Sequence, residues 1–260
     1  TDEIVSFYAS KFEWLTFVRR DSPSMRSVGS KVGALLSALQ KLREPYEFIG
    51  NLDADITFQG NYFETLIRAM EDDPSLGIVG GHVWDFEGGV YKPQRTREWS
   101  VAGAVQFFRR QCFEQVGPWE PFPYGGEDAA LEIKARYYGW KVKTLRDLKV
   151  LHHRPVRMGC KGVVAFRFRQ GRMDWSLGYD LFFELLRCLA RISETPYFLG
   201  CFLRFCGFLF SALRKDPIIL PPAVVRFLRV EQRGRLKTLT RKSLLKDKEK
   251  QPVCAASADR

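Results

Sequence analysis

Two carboxylates stand one residue apart in the segment GNLDADITF, residues 50–58, at the end of an apolar run. Asp53 and Asp55 repel each other when both are ionised, and a bound cation removes that cost. Carboxylate oxygens are the ligands that hard cations such as Mg²⁺ and Mn²⁺ prefer. A turn that ends a strand explains the same residues, because aspartate is common in turns. The local sequence leaves both interpretations open.

Two further polar groups stand at the ends of predicted elements. Glu127 and Asp128 follow PYGG and open a predicted helix, where acidic side chains complement the helix dipole and glycines let the backbone approach a ligand closely. His152 and His153 close the last predicted strand. Ligands of open α/β sheets bind beyond the carboxyl ends of the strands. Together the three groups therefore predict a metal site, a carboxylate base and a further nitrogen ligand.

The elements that must position these residues alternate between strand and helix as far as residue 153. This alternation predicts an open α/β sheet with helices on both faces. The predicted strands are 14–20, 46–55, 76–84, 102–110, WKVKTL and LKVLHH, and a hairpin turns at Gly88-Gly89. After residue 155 the pattern indicates helices without strands, among them 179–192 and 197–213.

Charge is distributed unevenly along the 260 residues, whose formal net charge is +11. Residues 1–150 carry 19 Lys/Arg and 21 Asp/Glu, whereas residues 151–260 carry 22 and 9. The basic excess of the second part indicates an anionic partner. We predict an α/β domain over 1–155, a helical region over 156–235 and a basic, disordered tail over 236–260.

The segment YFLGCFLRFCGFLFSAL, residues 197–213, contains one charge, Arg204, near its middle. A buried core helix, a helix lying in a membrane interface and a full membrane span all remain open for it. The basic residues of 226–250 indicate an anionic membrane surface as a partner, and a solvated helix and tail is the alternative. We expect no nucleic-acid partner.

Six cysteines show no CxxC pair and no regular spacing. This pattern argues against a disulfide framework or a zinc ribbon and favours a reducing, cytosolic environment.

Several segments, in this order and spacing, resemble family 2 glycosyltransferases of the GT-A fold, particularly the bacterial type of polysaccharide biosynthesis. The resemblance runs from Thr1 to about Arg233 and is carried by TDEI, GSKVGALLSAL, IGNLDADITF, LGIVGGHVW, VAGAVQFFRRQCFEQVG, GGEDAALEIKARYYGW and LKVLHHRP. It implies that the family's first strand and its nucleotide-binding DDGS turn precede Thr1. We therefore expect the chain to be inactive alone.

The resemblance also implies roles for individual residues. Asp53 and Asp55 match the DxD motif, which holds Mn²⁺ or Mg²⁺ on the diphosphate of a nucleotide-sugar, with Asp55 as the direct ligand. His152 or His153 is an additional metal ligand, and His152 is favoured. Asp128 matches the general base of inverting members, and Glu127 lies beside it.

Substrate binding is assigned in the same way to Lys31, Asp53, Gly103, Gly126, Gln170, Arg172 and Trp175. The last three lie in QGRMDW, which resembles the family's Q/R-x-x-R-W element. Met173 stands where that element has its arginine, and Arg172 takes the place of the arginine in this interpretation.

A lipid-linked or saccharide acceptor and a place at the cytoplasmic face of the cell membrane, or otherwise in the cytoplasm, follow from the same resemblance. Two other functions remain open. DADIT also matches the D-x-D-x-T of haloacid dehalogenase-type phosphatases, but these require a later lysine and an acidic pair after a further apolar strand. The second alternative is a non-catalytic sugar- or scaffold-binding protein of the same fold.

Overall fold

The structure is a computed structural model that describes residues 2–19, 30–42, 45–154, 162–192 and 197–249. The chain divides into two compact units, residues 1–162 and 163–260. The boundary predicted after residue 155 falls at the start of 155–161, which lies outside the described residues.

The first unit is built on a six-stranded mixed sheet with the order β1-β5-β3-β6-β2, and β4 pairs with β3. The strands are β1 Phe48–Gly50, β2 Ile56–Phe58, β3 Leu76–Glu87, β4 Val90–Pro93, β5 Phe107–Arg109 and β6 Lys141–His152. Only β3 and β6 pair in parallel among the described strands. Helices lie on both sides of the sheet, which confirms the predicted open α/β class.

The helices of this unit are α1 Asp2–Ala9, α2 Ser30–Leu39, α3 Tyr62–Asp72, α4 Arg110–Val116 and α5 Glu127–Tyr137. Helix α3 shows how they attach to the sheet. Its buried Tyr62, Leu66 and Met70 recur every four residues, form one face, and join the same apolar cluster as Ile78 and Val79 of β3.

Three strand predictions differ from the structure. The predicted strand 14–20 is irregular in its described part, 14–19, where it pairs with no described strand. WKVKTL and LKVLHH are one strand, β6, which a register shift between Gly81 and His82 of β3 divides into two arms. The three-residue β2 is too short to give a periodic signal and was not predicted.

The second unit contains the helices α6 Val163–Ser176, α7 Leu181–Leu189, α8 Tyr197–Leu213 and α9 Pro222–Glu249, and none of its described residues lies in a strand. Helices α6 and α8 cross so closely that a Cβ on Gly171 or Gly207 would collide with the backbone of the other helix. Glycine at both positions makes this close crossing possible. The predicted helical character is therefore confirmed.

The predicted disordered tail is partly wrong. Helix α9 continues to Glu249, so 236–249 is helical, and 250–260 lies outside the described residues. Leu and Lys make up eight of the fourteen residues 236–249, and both favour helix in solution.

Arg204 is buried and pairs with two buried carboxylates. Its Nη2 lies 2.6 Å from Asp174 Oδ2, and its Nε lies 3.2 Å from Glu184 Oε1. Arg187 Nη1 binds the same two carboxylates, at 2.9 and 3.2 Å. A buried charge needs such partners, and the network explains how α8 carries an arginine among apolar residues. No helix within the described ranges is both long and apolar enough to cross a membrane.

Candidate active site and metal centre

Asp53 and Asp55 lie in the chain between β1 and β2, the two strands at the ends of the strand order. β1 pairs with β5, and β2 pairs with β6. Backbone hydrogen bonds continue past the β1–β5 pair, so that the N–H of Asp53 donates to Ala104 O at 3.0 Å. β2 runs antiparallel to the end of β6, with Ile56 opposite His152, and the N–H of His153 donates to Asp55 O at 2.9 Å. The short β2 is thus what brings Asp55 to the end of β6.

One group of side chains at this edge has the composition of a metal site. Ligand atoms of Asp53, Asp55 and His152 all lie within 4.8 Å of one another. His152 Nε2 is 3.3 Å from Asp55 Oδ1. Two carboxylates and one imidazole are suitable donors for a divalent cation, so the residues present fit Mn²⁺ or Mg²⁺.

Two basic side chains also reach these carboxylates. Lys31 Nζ lies 2.6 Å from Asp53 Oδ1, and Arg154 Nε lies 3.7 Å from Asp55 Oδ2. They reduce the repulsion between the two carboxylates.

His153 does not join this group. Its Nε2 lies 3.0 Å from Thr57 Oγ1, and its Nδ1 lies 2.7 Å from Tyr91 OH. Both ring nitrogens are therefore engaged on the other side of the strand, because adjacent residues of a strand point to opposite faces. Of the two predicted histidine ligands, the structure brings only His152 to the carboxylates.

Glu127 and Asp128 occupy the first turn of α5, which begins at Glu127. Gly126 precedes them with a φ of 101°, a left-handed conformation that favours glycine. A Cβ on Gly103 would collide with the carboxylate of Asp128, so only glycine lets the 101–106 loop pack against that side chain. The acidic pair opens a helix and does not end a strand, unlike the arrangement that a haloacid dehalogenase-type phosphatase requires.

Part of the Glu127 carboxyl is buried, although the residue lies in the first turn of a helix. Burial raises the pKa of the Glu127 carboxyl, and the charge of Asp128 raises it further. Glu127 Oε2 is buried and accepts no hydrogen bond from the described part of the chain. Asp128 Oδ1 instead accepts from the N–H of Ala129 at 2.8 Å.

Lys31 and Gly103 connect the metal group to the acidic pair. Lys31 Nζ binds Asp53 and also donates to Gly103 O at 3.0 Å. Asn51 Nδ2 donates to the same carbonyl at 2.7 Å. Asp53 and Asp128 therefore contact the same short backbone segment from two directions.

The predicted residues of QGRMDW make contacts inside the second unit. Arg172 Nη2 lies 2.9 Å from Asp216 Oδ2, and Trp175 Nε1 donates to Asp216 O at 2.8 Å. Gln170 Oε1 accepts from Arg167 at 3.2 Å. Substrate binding by these residues stays a prediction.

Sequence reasoning did not find Asp85, Asn51 or Glu132. Asp85 contacts His152 across the β3–β6 pair, Asn51 binds Gly103 O, and Glu132 Oε1 accepts from the N–H of Val101 at 2.6 Å. Asn51 stands two residues before Asp53, which is a weak signal. The other two depend on strand register and loop path, which the sequence does not reveal.

No protein-family model matches the chain. Among solved structures, it is similar to the mannosyltransferase PcManGT from Pyrobaculum calidifontis in complex with GDP-Man and Mn²⁺, with 16% identity, a TM-score of 0.48, and coverage of 92% of this chain and 68% of that one. It is also similar to GalNAc-T7 with UDP, GalNAc and Mn²⁺, with 14% identity, a TM-score of 0.45, and coverage of 64% of this chain and 38% of that one.

Proposed function

We propose that the chain is the catalytic part of a family 2 glycosyltransferase of the GT-A fold, of the bacterial polysaccharide-biosynthesis type. It transfers a sugar from a nucleotide-sugar to an acceptor hydroxyl. The observation that carries this proposal is the convergence of Asp53, Asp55 and His152 at the edge of an open mixed sheet. The acidic pair at the start of α5 belongs to the same unit and contacts the same loop.

On the donor side, Asp53, Asp55 and His152 would hold Mn²⁺ or Mg²⁺. A cation held there would supply positive charge for the donor diphosphate. Lys31 Nζ already lies beside Asp53 and supplies a second positive charge for a phosphate oxygen. The carbonyl of Gly103 fixes that ammonium group, so Lys31 is held in place before the donor binds.

On the acceptor side, Asp128 is the general base. It takes the proton of the acceptor hydroxyl while the hydroxyl oxygen forms its bond to the anomeric carbon. The bond from that carbon to the diphosphate oxygen breaks, and the electron pair leaves with the nucleoside diphosphate. Attack from the side opposite the leaving group inverts the anomeric configuration.

We further propose that the second unit binds an anionic membrane surface from the cytoplasmic side, where a lipid-linked or saccharide acceptor is presented. Phe198 and Phe202 of α8 are 71% and 63% exposed, and Phe182 of α7 is 61% exposed. A groove of about 540 Å³ is lined by Asp180, Leu181, Phe182, Leu185, Phe205, Leu209 and Arg233. Arg233 pairs with Asp180 at 2.7 Å within this groove, so the cations for an anionic surface would come from the other basic residues of 226–250. Exposed apolar rings beside such a basic segment suit a lipid surface.

The test of the enzyme is a screen of nucleotide-sugars with the full-length protein, with and without Mn²⁺, measuring release of the nucleoside diphosphate. We expect turnover with at least one donor. Asp55→Ala should abolish the metal-dependent turnover because it removes a carboxylate from the metal group. Asp147→Ala removes an exposed carboxylate from β6 and should leave turnover unchanged, so it serves as the matched control.

Unchanged turnover and unchanged Mn²⁺ dependence in Asp55→Ala would refute the metal site. Nucleotide-sugar binding without transfer or hydrolysis would instead favour the non-catalytic binding protein.

A further inference from the structure

His152 has a carboxylate on each side. Asp85 lies opposite it in the parallel β3–β6 register, and Asp85 Oδ1 is 2.7 Å from His152 Nδ1. Gln94 Nε2 donates to the same Asp85 oxygen at 2.9 Å. His152 itself is 8% exposed. The ring is therefore held by packing and by a hydrogen bond on its Nδ1 side.

This contact decides which ring nitrogen faces the metal group. Of the two carboxylate contacts of His152, only that between Nδ1 and Asp85 is a hydrogen bond, and a carboxylate accepts but does not donate. The contact therefore favours the tautomer whose proton lies on Nδ1. In that tautomer the lone pair of the ring lies on Nε2, which is the atom 3.3 Å from Asp55 Oδ1. Carboxylates behind ligating histidines fix the tautomer and ring orientation and raise the basicity of the ligand.

We infer that Asp85 is a positioning residue that presents His152 Nε2 to the metal and thereby makes the site select Mn²⁺ over Mg²⁺. The inference rests on the proposed metal site. Mg²⁺ demands oxygen ligands and retains its waters, whereas transition-metal ions gain more from an imidazole nitrogen. An anchored imidazole therefore adds more to the affinity for Mn²⁺ than to the affinity for Mg²⁺.

The experiment compares Mn²⁺ and Mg²⁺ affinities of the full chain, without donor, by calorimetry and by electron paramagnetic resonance of free Mn²⁺. Asp85→Leu should weaken Mn²⁺ binding about 10- to 100-fold. It should weaken Mg²⁺ binding less, so that the ratio of the two affinities falls. Asp85→Asn should show a smaller loss, because its amide oxygen still accepts from Nδ1.

Glu87→Gln is the matched control, because it removes one negative charge from β3 two residues away, beyond the pair with His152. We expect wild-type affinities for it. The ¹⁴N coupling of bound Mn²⁺ reports directly on the imidazole ligand and should be present in the wild type and diminished in Asp85→Leu.

Mn²⁺ binding by the wild type, with an unchanged affinity ratio and unchanged ¹⁴N coupling in both Asp85 variants, would overturn this inference and leave the proposed metal site intact. If Asp85→Leu does not fold, an unchanged ratio and coupling in Asp85→Asn have the same meaning. Failure of the wild type itself to bind Mn²⁺ would overturn the metal site and the inference together.

Discussion

The backbone carbonyl of Gly103 accepts hydrogen bonds from Lys31 Nζ and Asn51 Nδ2. The Cα of the same glycine packs against the carboxylate of Asp128. One residue without a side chain thus lets a metal-side cation and an acidic side chain approach the same segment. The role of the acidic pair Glu127 and Asp128 depends on which of the two carboxylates takes the proton of the acceptor hydroxyl.

Asp128→Asn keeps the size of the side chain and removes its basicity. Turnover should fall by about 10²- to 10⁴-fold while donor binding survives. The measurement is kcat together with the donor dissociation constant in the full-length protein.

Glu127→Gln is the neighbouring control and should lose much less turnover. If Glu127→Gln shows the large loss and Asp128→Asn does not, the two roles are reversed. Such a reversal would agree with the raised pKa of Glu127, which burial causes.

At the scale of elements, α5 carries the acidic pair in its first turn and a third carboxylate one turn later. Glu132 is buried, and its Oε1 accepts from the N–H of Val101 at 2.6 Å. Helix α5 therefore contacts the 101–106 loop at two points, where Asp128 packs against Gly103 and Glu132 binds Val101. Burial raises the pKa of Glu132 from its ordinary value of 4.5 to about 7, and the bond from Val101 opposes that shift only in part.

A raised pKa in the folded state makes stability depend on pH. Between about pH 4.5 and pH 7 the folded protein keeps a proton on Glu132 that the unfolded chain has already lost. The free energy of unfolding should therefore fall as pH rises through this range, by about 3 kcal/mol.

Glu132→Gln should flatten this profile, because glutamine accepts the Val101 hydrogen bond but does not titrate. Urea denaturation at pH 5 and pH 8 measures the difference, with Glu87→Gln as the control for a lost surface charge. Parallel profiles for Glu132→Gln and wild type would show that Glu132 does not titrate in this range.

Local patterns were sufficient to predict most elements and to locate the carboxylates of the candidate site. The DxD follows an apolar strand, and the acidic pair follows two glycines, so both could be located from neighbours in the sequence. Asp85 could not, because its contact with His152 depends on the register between two distant strands. His153 was predicted beside His152, but alternation along the strand turns it toward Tyr91.

For the molecule as a whole, the change from strands to helices was predicted from the sequence, and the anionic partner inferred from the charge asymmetry stays a prediction. The structure has two units, and the second is helical throughout its described elements. The paired, buried Arg204 agrees with the prediction of a core helix for the inner face of α8. The outer face keeps exposed phenylalanines, which is where the prediction of a membrane surface applies.

Replacing Phe198 and Phe202 together by serine should weaken binding to anionic vesicles at least tenfold. Burying one phenylalanine in an apolar environment contributes about 1.5–3 kcal/mol, and tenfold in affinity corresponds to about 1.4 kcal/mol. Vesicle flotation of the full-length protein measures the effect, and binding should weaken as salt rises.

Trp14→Ser removes an aromatic side chain that is 79% exposed in the first unit and is the matched control. No binding of the wild type to anionic vesicles at low salt would rule out the membrane surface. Packing of the exposed face against protein would then explain its composition.

The β2–β6 pairing has a consequence for folding kinetics. Asp55 and His152 are about 100 residues apart in the chain, whereas the β3–β4 hairpin closes over two glycines. Closure of a long loop costs entropy before any contact compensates it, so distant pairings form late. During refolding, the metal group should therefore assemble after collapse, together with the last strand pairing. Mn²⁺ would then favour the finished fold by mass action without accelerating the early steps.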